Sequence, residues 1–183
     1  AAGRYDAAEA KLRAALVFPH NLGEGKLIGA RDNDLYYDLG CALEAQGRMD
    51  EARACWEKAT LGDTVPAGAM YYNDQPADLI LYQGLALRKL GREDEAKARF
   101  HKLVDYGETH IFDEMRIDYF AVSLPDLLIF DDDLNARNRA HCHYLIALGS
   151  YGLGDRARAE AAYREVLAID PAHMGAHIQQ MPL

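Results

Sequence analysis

Positive charge is in short supply in this sequence. Twenty Lys and Arg face 29 Asp and Glu, for a formal net charge of −9 and a pI near 5.2. Nucleic-acid and anionic-membrane binding both rest on clustered positive charge, so neither partner is expected. Cysteine is scarce as well. Cys41, Cys55 and Cys142 show no CxxC spacing, which argues against a disulfide framework and a thiolate zinc site; the expected location is the cytoplasm. A long apolar run is missing too. The most apolar window, Tyr119 to Phe130, is broken by Pro125 and Asp126, so no segment is expected to span a bilayer. There is no GxxxxGK[ST], GxGxxG or GxSxG, and Gly23-Glu24-Gly25-Lys26 is too short for a phosphate loop. What is present is 183 residues, half of them hydrophobic, which can bury a core as one domain or a short repeat array.

Four glycines open similar phrases: Gly3-Arg4, Gly47-Arg48, Gly91-Arg92 and Gly154-Asp155. Five residues after each stands Ala8, Ala52, Ala96 or Ala159. Nine after stands Leu12, Trp56, Phe100 or Tyr163, and twelve after stands Ala15, Ala59, Leu103 or Val166. These offsets follow a 3.6-residue period and share one helix face. Seven residues before the last three glycines stand small residues, Gly40, Gly84 and Ala147; eight before stand Leu39, Gln83 and Ile146. Small residues there let a second helix approach closely, and the turn glycine supplies positive φ at low cost. Each unit therefore reads as a helical hairpin whose apolar seam needs a stacked neighbour.

The pattern resembles the tetratricopeptide repeat: small residues in the first helix, Gly at the turn, Ala early in the second helix, a bulky residue four later and a closing Pro. The run from Ala159 to Pro171 matches best, the two middle units well and the first in part; Gln83 and Ser150 depart from the pattern. The resemblance implies an all-α right-handed solenoid of about four hairpins, a partner that is a protein or peptide, and no cofactor. Chaperone-binding members hold a C-terminal carboxylate with a Lys/Asn clamp, whereas Tyr37, Cys41, Leu81 and Leu85 stand at those places here, so such a partner is not expected.

The turn glycines lie 44, 44 and 63 residues apart, against a family period of about 34, so inserts of about 10, 10 and 29 residues separate the hairpins. They fall near Asn21 to Asp32, Leu61 to Gln75 and Gly107 to Asp133. The expected division is a partial hairpin at 1–19, hairpins at 33–60, 76–106 and 134–170, an insert at 107–133 and a C-terminal cap at 171–183. The third insert is expected to hold a helix from Asp113 to Ser123, and Ala172 to Gln180 a helix capping the last seam. The first glycine has no first helix before it, so the chain is expected to be a fragment of a longer one.

The inserts carry the unusual chemistry. Tyr71, Tyr72, Asn73 and Asp74, with Asp118 and Tyr119, set rings beside amides and carboxylates. That combination suits sugar recognition, giving an alternative reading as a carbohydrate-binding or glycoside-processing accessory segment; the preferred reading is that these residues staple the inserts to the solenoid. Together the insert phrases resemble the C-terminal part of large bacterial proteins in which a β-rich domain, thought to be carbohydrate-related, precedes tetratricopeptide repeats. That resemblance implies an upstream domain holding any active site and transfers no catalytic residue to this segment. The carboxylates Asp113, Glu114, Asp118, Asp126 and Asp131 to Asp133 read as a solvated face and helix-start charge in preference to a glycosidase pair. His141 with His143, and His173 with His177, have spacings that can hold a metal, but a third ligand is not evident and no metal site is expected.

By alignment, the face of the first helices should carry Asp34, Tyr37, Cys41 and Glu44; then Asp78, Leu81, Leu85 and Arg88; then His141, Tyr144, Leu148 and Tyr151. This surface is apolar, aromatic and acidic at its first unit. It suits an apolar or basic peptide, a helix, or the protein's own upstream domain. The expected function is a non-catalytic interaction or scaffold module. Self-association through an end hairpin, giving a homo-oligomer, is a third reading.

Overall fold

The computed structural model describes residues 3–19, 21, 25–27, 29–69, 75–115 and 133–179. Among these the fold is all-α and solenoidal. It contains α1 (Tyr5–Ala15), α2 (Asn33–Ala45), α3 (Met49–Ala59), α4 (Leu79–Lys89), α5 (Glu93–His110), α6 (Leu134–Leu153), α7 (Arg156–Ile169) and α8 (Met174–Gln179), with no strand among the described residues. Hairpins α2–α3, α4–α5 and α6–α7 stack in chain order, with α1 against α2 and α8 against α7.

The four marked turns share one geometry. Gly3, Gly47, Gly91 and Gly154 have φ of 67°, 79°, 78° and 86°. At the three complete hairpins the residue after the glycine donates its N–H to the carbonyl five residues back: Arg48 to Leu43, Arg92 to Leu87, Asp155 to Ser150, at 3.0, 2.9 and 2.9 Å. The glycine N–H bonds three residues back, to Glu44, Arg88 and Tyr151. These are paired αL cap bonds that satisfy the terminal carbonyls of the first helix. Asp155 then starts α7 by accepting from Arg158 N at 3.0 Å, as Asp133 starts α6 by accepting from Ala136 N at 2.9 Å.

The turns bring the seams together. Ala52, Trp56 and Ala59 are buried, as are Ala96, Phe100 and Leu103, and Ala159, Tyr163 and Val166. A Cβ on Gly40 would lie 2.6 Å from Trp56 Cδ1, and one on Gly84 would lie 2.7 Å from Phe100 Cζ, so the large ring of each second helix fills the space left by a glycine on the first. In α1 the same offsets are open: Ala8 and Ala15 are exposed and Leu12 only half-buried.

Gln83, the polar residue in the seam, is fully buried. Its Nε2 donates to the carbonyls of Leu61 and Asp63 at 3.2 and 2.9 Å, and its Oε1 accepts from Arg99 Nε at 3.2 Å. It thereby pins the α3–α4 connection, with Gln75 holding the Asp63 backbone and Asn33 donating to Ala59 and Leu61 carbonyls, both at 2.7 Å. Ser150 is 1 % exposed, and among the described residues its hydroxyl has no hydrogen-bond partner.

The third insert departs from expectation at its start. Helix α5 continues to His110, because Gly107 sits mid-helix where the α6 backbone comes close; a Cβ there would lie 2.6 Å from the Cys142 carbonyl oxygen. Asn138 Nδ2 then closes α5 by donating to His110 O at 2.7 Å. Asp113 to Met115 are not helical, so the expected helix does not begin at Asp113; its remainder lies outside the described residues.

Candidate functional site

Three equivalent positions meet in space. Asp34 on α2, Asp78 immediately before α4 and His141 on α6 each stand thirteen residues before a turn glycine, and all three line one cavity of about 680 Å³. Tyr82, Tyr144 and Leu145 add to its wall. Helix α8 forms another side with Met174, Ile178 and Gln179, and Ala67 to Ala69 another.

Helix α8 is held there by its own end groups. His173 Nδ1 accepts from Ala176 N at 3.1 Å, starting the helix, and its ring packs on Tyr144 at 4.6 Å between centroids. A Cβ on Gly175 would lie 2.7 Å from Tyr144 Cζ, so only glycine lets α8 approach so closely. Ala176 is fully buried, and Gln179 Nε2 donates to Tyr82 OH at 3.1 Å. His177 Nε2 donates to Pro171 O at 2.8 Å. Both histidines of this pair are thus committed to local structure. Among the described residues no group of His, Cys, Asp or Glu is arranged to hold a metal.

Tyr37, Tyr82 and Tyr144 come from the first helices of successive hairpins, and Tyr163 of the α7 seam packs against Tyr144. Tyr37 and Tyr82 lie 6.0 Å apart between ring centroids, and Tyr144 and Tyr163 lie 6.3 Å apart. Burial raises the hydroxyl pKa of Tyr37, Tyr144 and Tyr163 well above the ordinary range and that of Tyr82 to about 12, so all four stay neutral at pH 7. Carboxylates crowd the same side. Asp38 is reached by water, yet protein closes around it. That enclosure, and then the charge of Asp34, push it up to about 6. Asp78 is raised by burial first, with Asp34 adding to the effect. Burial lowers His141, whose Nε2 donates to Ala67 O at 2.9 Å. No Lys or Arg among the described residues forms an ion pair with Asp34, Asp38 or Asp78. Stacked hairpins with a shared face on their first helices are one architecture, and sequence comparison decides which: the tetratricopeptide repeat matches residues 34–61, 78–106 and 140–173. The chain belongs to the tetratricopeptide-repeat family. Tetratricopeptide repeats typically bind proteins or peptides and are typically non-catalytic.

Within these repeats the positions read from the sequence separate. Asp34, Asp78, His141 and Tyr144 reach the cavity, and Tyr37 lies against Tyr82 beside it. Tyr151 is half-buried and packs against the core. Cys41 and Leu85 are half-buried. Leu81 and Leu148 are fully buried in the core and have no surface to offer a partner. Arg88 is tied up structurally: it pairs with Glu93, donates to Gly152 O at 2.8 Å and lies over the Phe100 ring at 5.0 Å. Glu44 pairs with Lys89, whose ammonium lies over the Trp56 ring. Tyr71, Tyr72, Asn73, Asp74, Asp118 and Tyr119 lie outside the described residues. Sequence reading missed Asp38, Tyr82 and Gln179. Asp38 had a signal, its i, i+4 spacing from Asp34; Tyr82 stands one position beyond the aligned Leu81; Gln179 had none, since its partner is 97 residues away. No helix among the described residues is long and apolar enough to cross a membrane.

Proposed function

We propose that this chain is a non-catalytic interaction module that holds a partner polypeptide on the side built by its first helices. The observation that carries the reading is the convergence of Asp34, Asp78 and His141 on one cavity from three successive repeats. The hairpin seams are closed by the buried clusters around Trp56 and Phe100 without Asp34, Asp78 or His141. The tyrosines beside the cavity add rigid, amphipathic contact area, which suits recognition of polypeptide at low entropic cost. The mechanism is shape: packed hairpins fix a curved surface, and its side chains select what docks.

A photo-crosslinking amino acid at position 37, compared with one at position 160 on the exposed face of α7, tests this in the protein's own cells. Adducts with another polypeptide, or with a segment of the same chain, are expected from position 37 and not from 160. Adducts from position 160 alone would overturn the assignment of the binding side.

A further inference from the structure

We propose that the cavity between α2, α4, α6 and α8 receives a cationic side chain, lysine or arginine, from the bound polypeptide. This rests on the interaction reading above and specifies the ligand of that same side. Three features of the cavity require a cation together, and none does so alone.

The first is negative charge that no Lys or Arg of the described residues offsets, with Asp78 eased only by backbone N–H groups and by His173. Asp34 and Asp78 line the cavity and Asp38 stands next to them on α2. Several acids elsewhere among the described residues are paired, Glu9 with Arg13 and Arg48, Glu93 with Arg88, Glu95 with Arg92 and Glu108 with Arg158; the three cavity-side carboxylates differ in standing together in a concave, partly enclosed place. In the cavity the carboxylates meet each other and no Lys or Arg of the described residues. Like charges held this close favour an incoming cation.

The second is a polar group left waiting. Tyr144 is 8 % exposed and lines the cavity, and among the described residues its hydroxyl makes no hydrogen bond. The Tyr144 side chain is nine-tenths buried, and a ligand group that enters the cavity would give its hydroxyl a protein-like partner. An ammonium or guanidinium N–H would donate to the Tyr144 oxygen, and its remaining N–H groups to Asp34 and Asp78.

The third is the wall around these groups. Tyr82 and Tyr144 line the cavity with aromatic, uncharged side chains. Met174 and Ile178, one turn apart on α8, are 73 % and 53 % exposed and line the same space. They would cover the aliphatic stem that a lysine or arginine carries behind its charge.

The test selects ligands from a display library of short random peptides against the full chain and measures the affinity of the enriched sequences. The expected result is enrichment of Lys- or Arg-bearing peptides whose affinity falls with rising salt and is lost when the basic residue is replaced by Gln. Asp34→Asn and Asp78→Asn should each weaken binding by about tenfold or more, and Tyr144→Phe by a smaller factor. Glu160→Gln, on α7, should leave it unchanged. Circular dichroism confirms folding of each variant, and Asp34→Asn, at the half-exposed start of α2, decides if Asp78→Asn does not fold. Neutral or acidic peptides whose binding is blocked by Tyr144→Ala would overturn the charge assignment and leave the interaction reading standing. Basic peptides whose affinity ignores Asp34, Asp78 and Tyr144, or a library that yields no binder, would overturn both.

Discussion

A Cβ on Gly152 would stand 2.5 Å from Cγ of Phe100. The ring belongs to the second helix of one repeat and the glycine to the first helix of the next. Phe100 also fills the space left by Gly84 of its own hairpin, so a single side chain closes one hairpin and docks the following one. Arg88 lies over the same ring and donates to the Gly152 carbonyl at 2.8 Å, tying the three helices at one point.

Gly152→Ala should therefore destabilise the protein, although alanine is the better helix former. The propensity gain is about 0.5–1 kcal/mol, while forcing a methyl into a packed seam costs about 1–3 kcal/mol. A net loss in urea unfolding is expected; a net gain would mean that the two repeats are not in contact at Phe100.

Trp56→Ala should cost about 3–5 kcal/mol, since a large core ring leaves a cavity that its neighbours cannot fill. Trp56 is 1 % exposed and packs on Gly40. A change within a few tenths of a kcal/mol would show the seam to be misplaced.

Two buried amides near the α3–α4 connection should differ in importance. Among the described residues Asn33 is the one side chain donating to the Ala59 carbonyl, so Asn33→Ala should cost about 1–3 kcal/mol by stranding that oxygen. Gln83→Leu should cost about 1 kcal/mol or less, because the Leu61 and Asp63 carbonyls keep Asn33 and Gln75 as donors. Equal losses in chemical unfolding would contradict this arrangement.

The repeat architecture was legible in the sequence because each requirement is local: Gly47, Ala52 and Trp56 lie within one turn and one helix. The binding side was legible only in part. Alignment placed Leu81 beside Tyr37 and Tyr144, yet in α4 the core takes Leu81 and the groove takes Tyr82, because Leu79, Ile80 and Leu81 are all buried and the helix presents a different stripe. Arg88 looked free as a surface residue, but its partner Gly152 lies 64 residues away. Helix α8 was foreseen as a cap on the last seam; its place beside Tyr82 and Tyr144 depends on the long-range bond from Gln179 and on the small size of Gly175, which no local periodicity encodes.

Acid titration should show two arms of opposite sign. Asp38, though reached by water, is raised from 3.8 to about 6 by the protein closing around it and then by Asp34, with Tyr37, Cys41 and Tyr82 facing it uncharged in this range. The folded state holds this proton more tightly than the unfolded chain, so stability falls as pH rises from 3.8 to about 6. Glu9 is lowered from 4.5 to about 2, chiefly by Arg13; its contribution is present above 4.5 and lost as pH falls towards 2. Asp38→Asn should flatten the upper arm and leave the lower one intact in urea midpoints taken across pH.

Amide hydrogen exchange of the full chain, with and without the polypeptide captured at position 37, tests the central claim most directly. The account predicts slowed exchange in α2, α4, α6 and α8, with α3, α5 and α7 little changed. Slowing confined to α3, α5 and α7 would place the partner on the opposite side and contradict it.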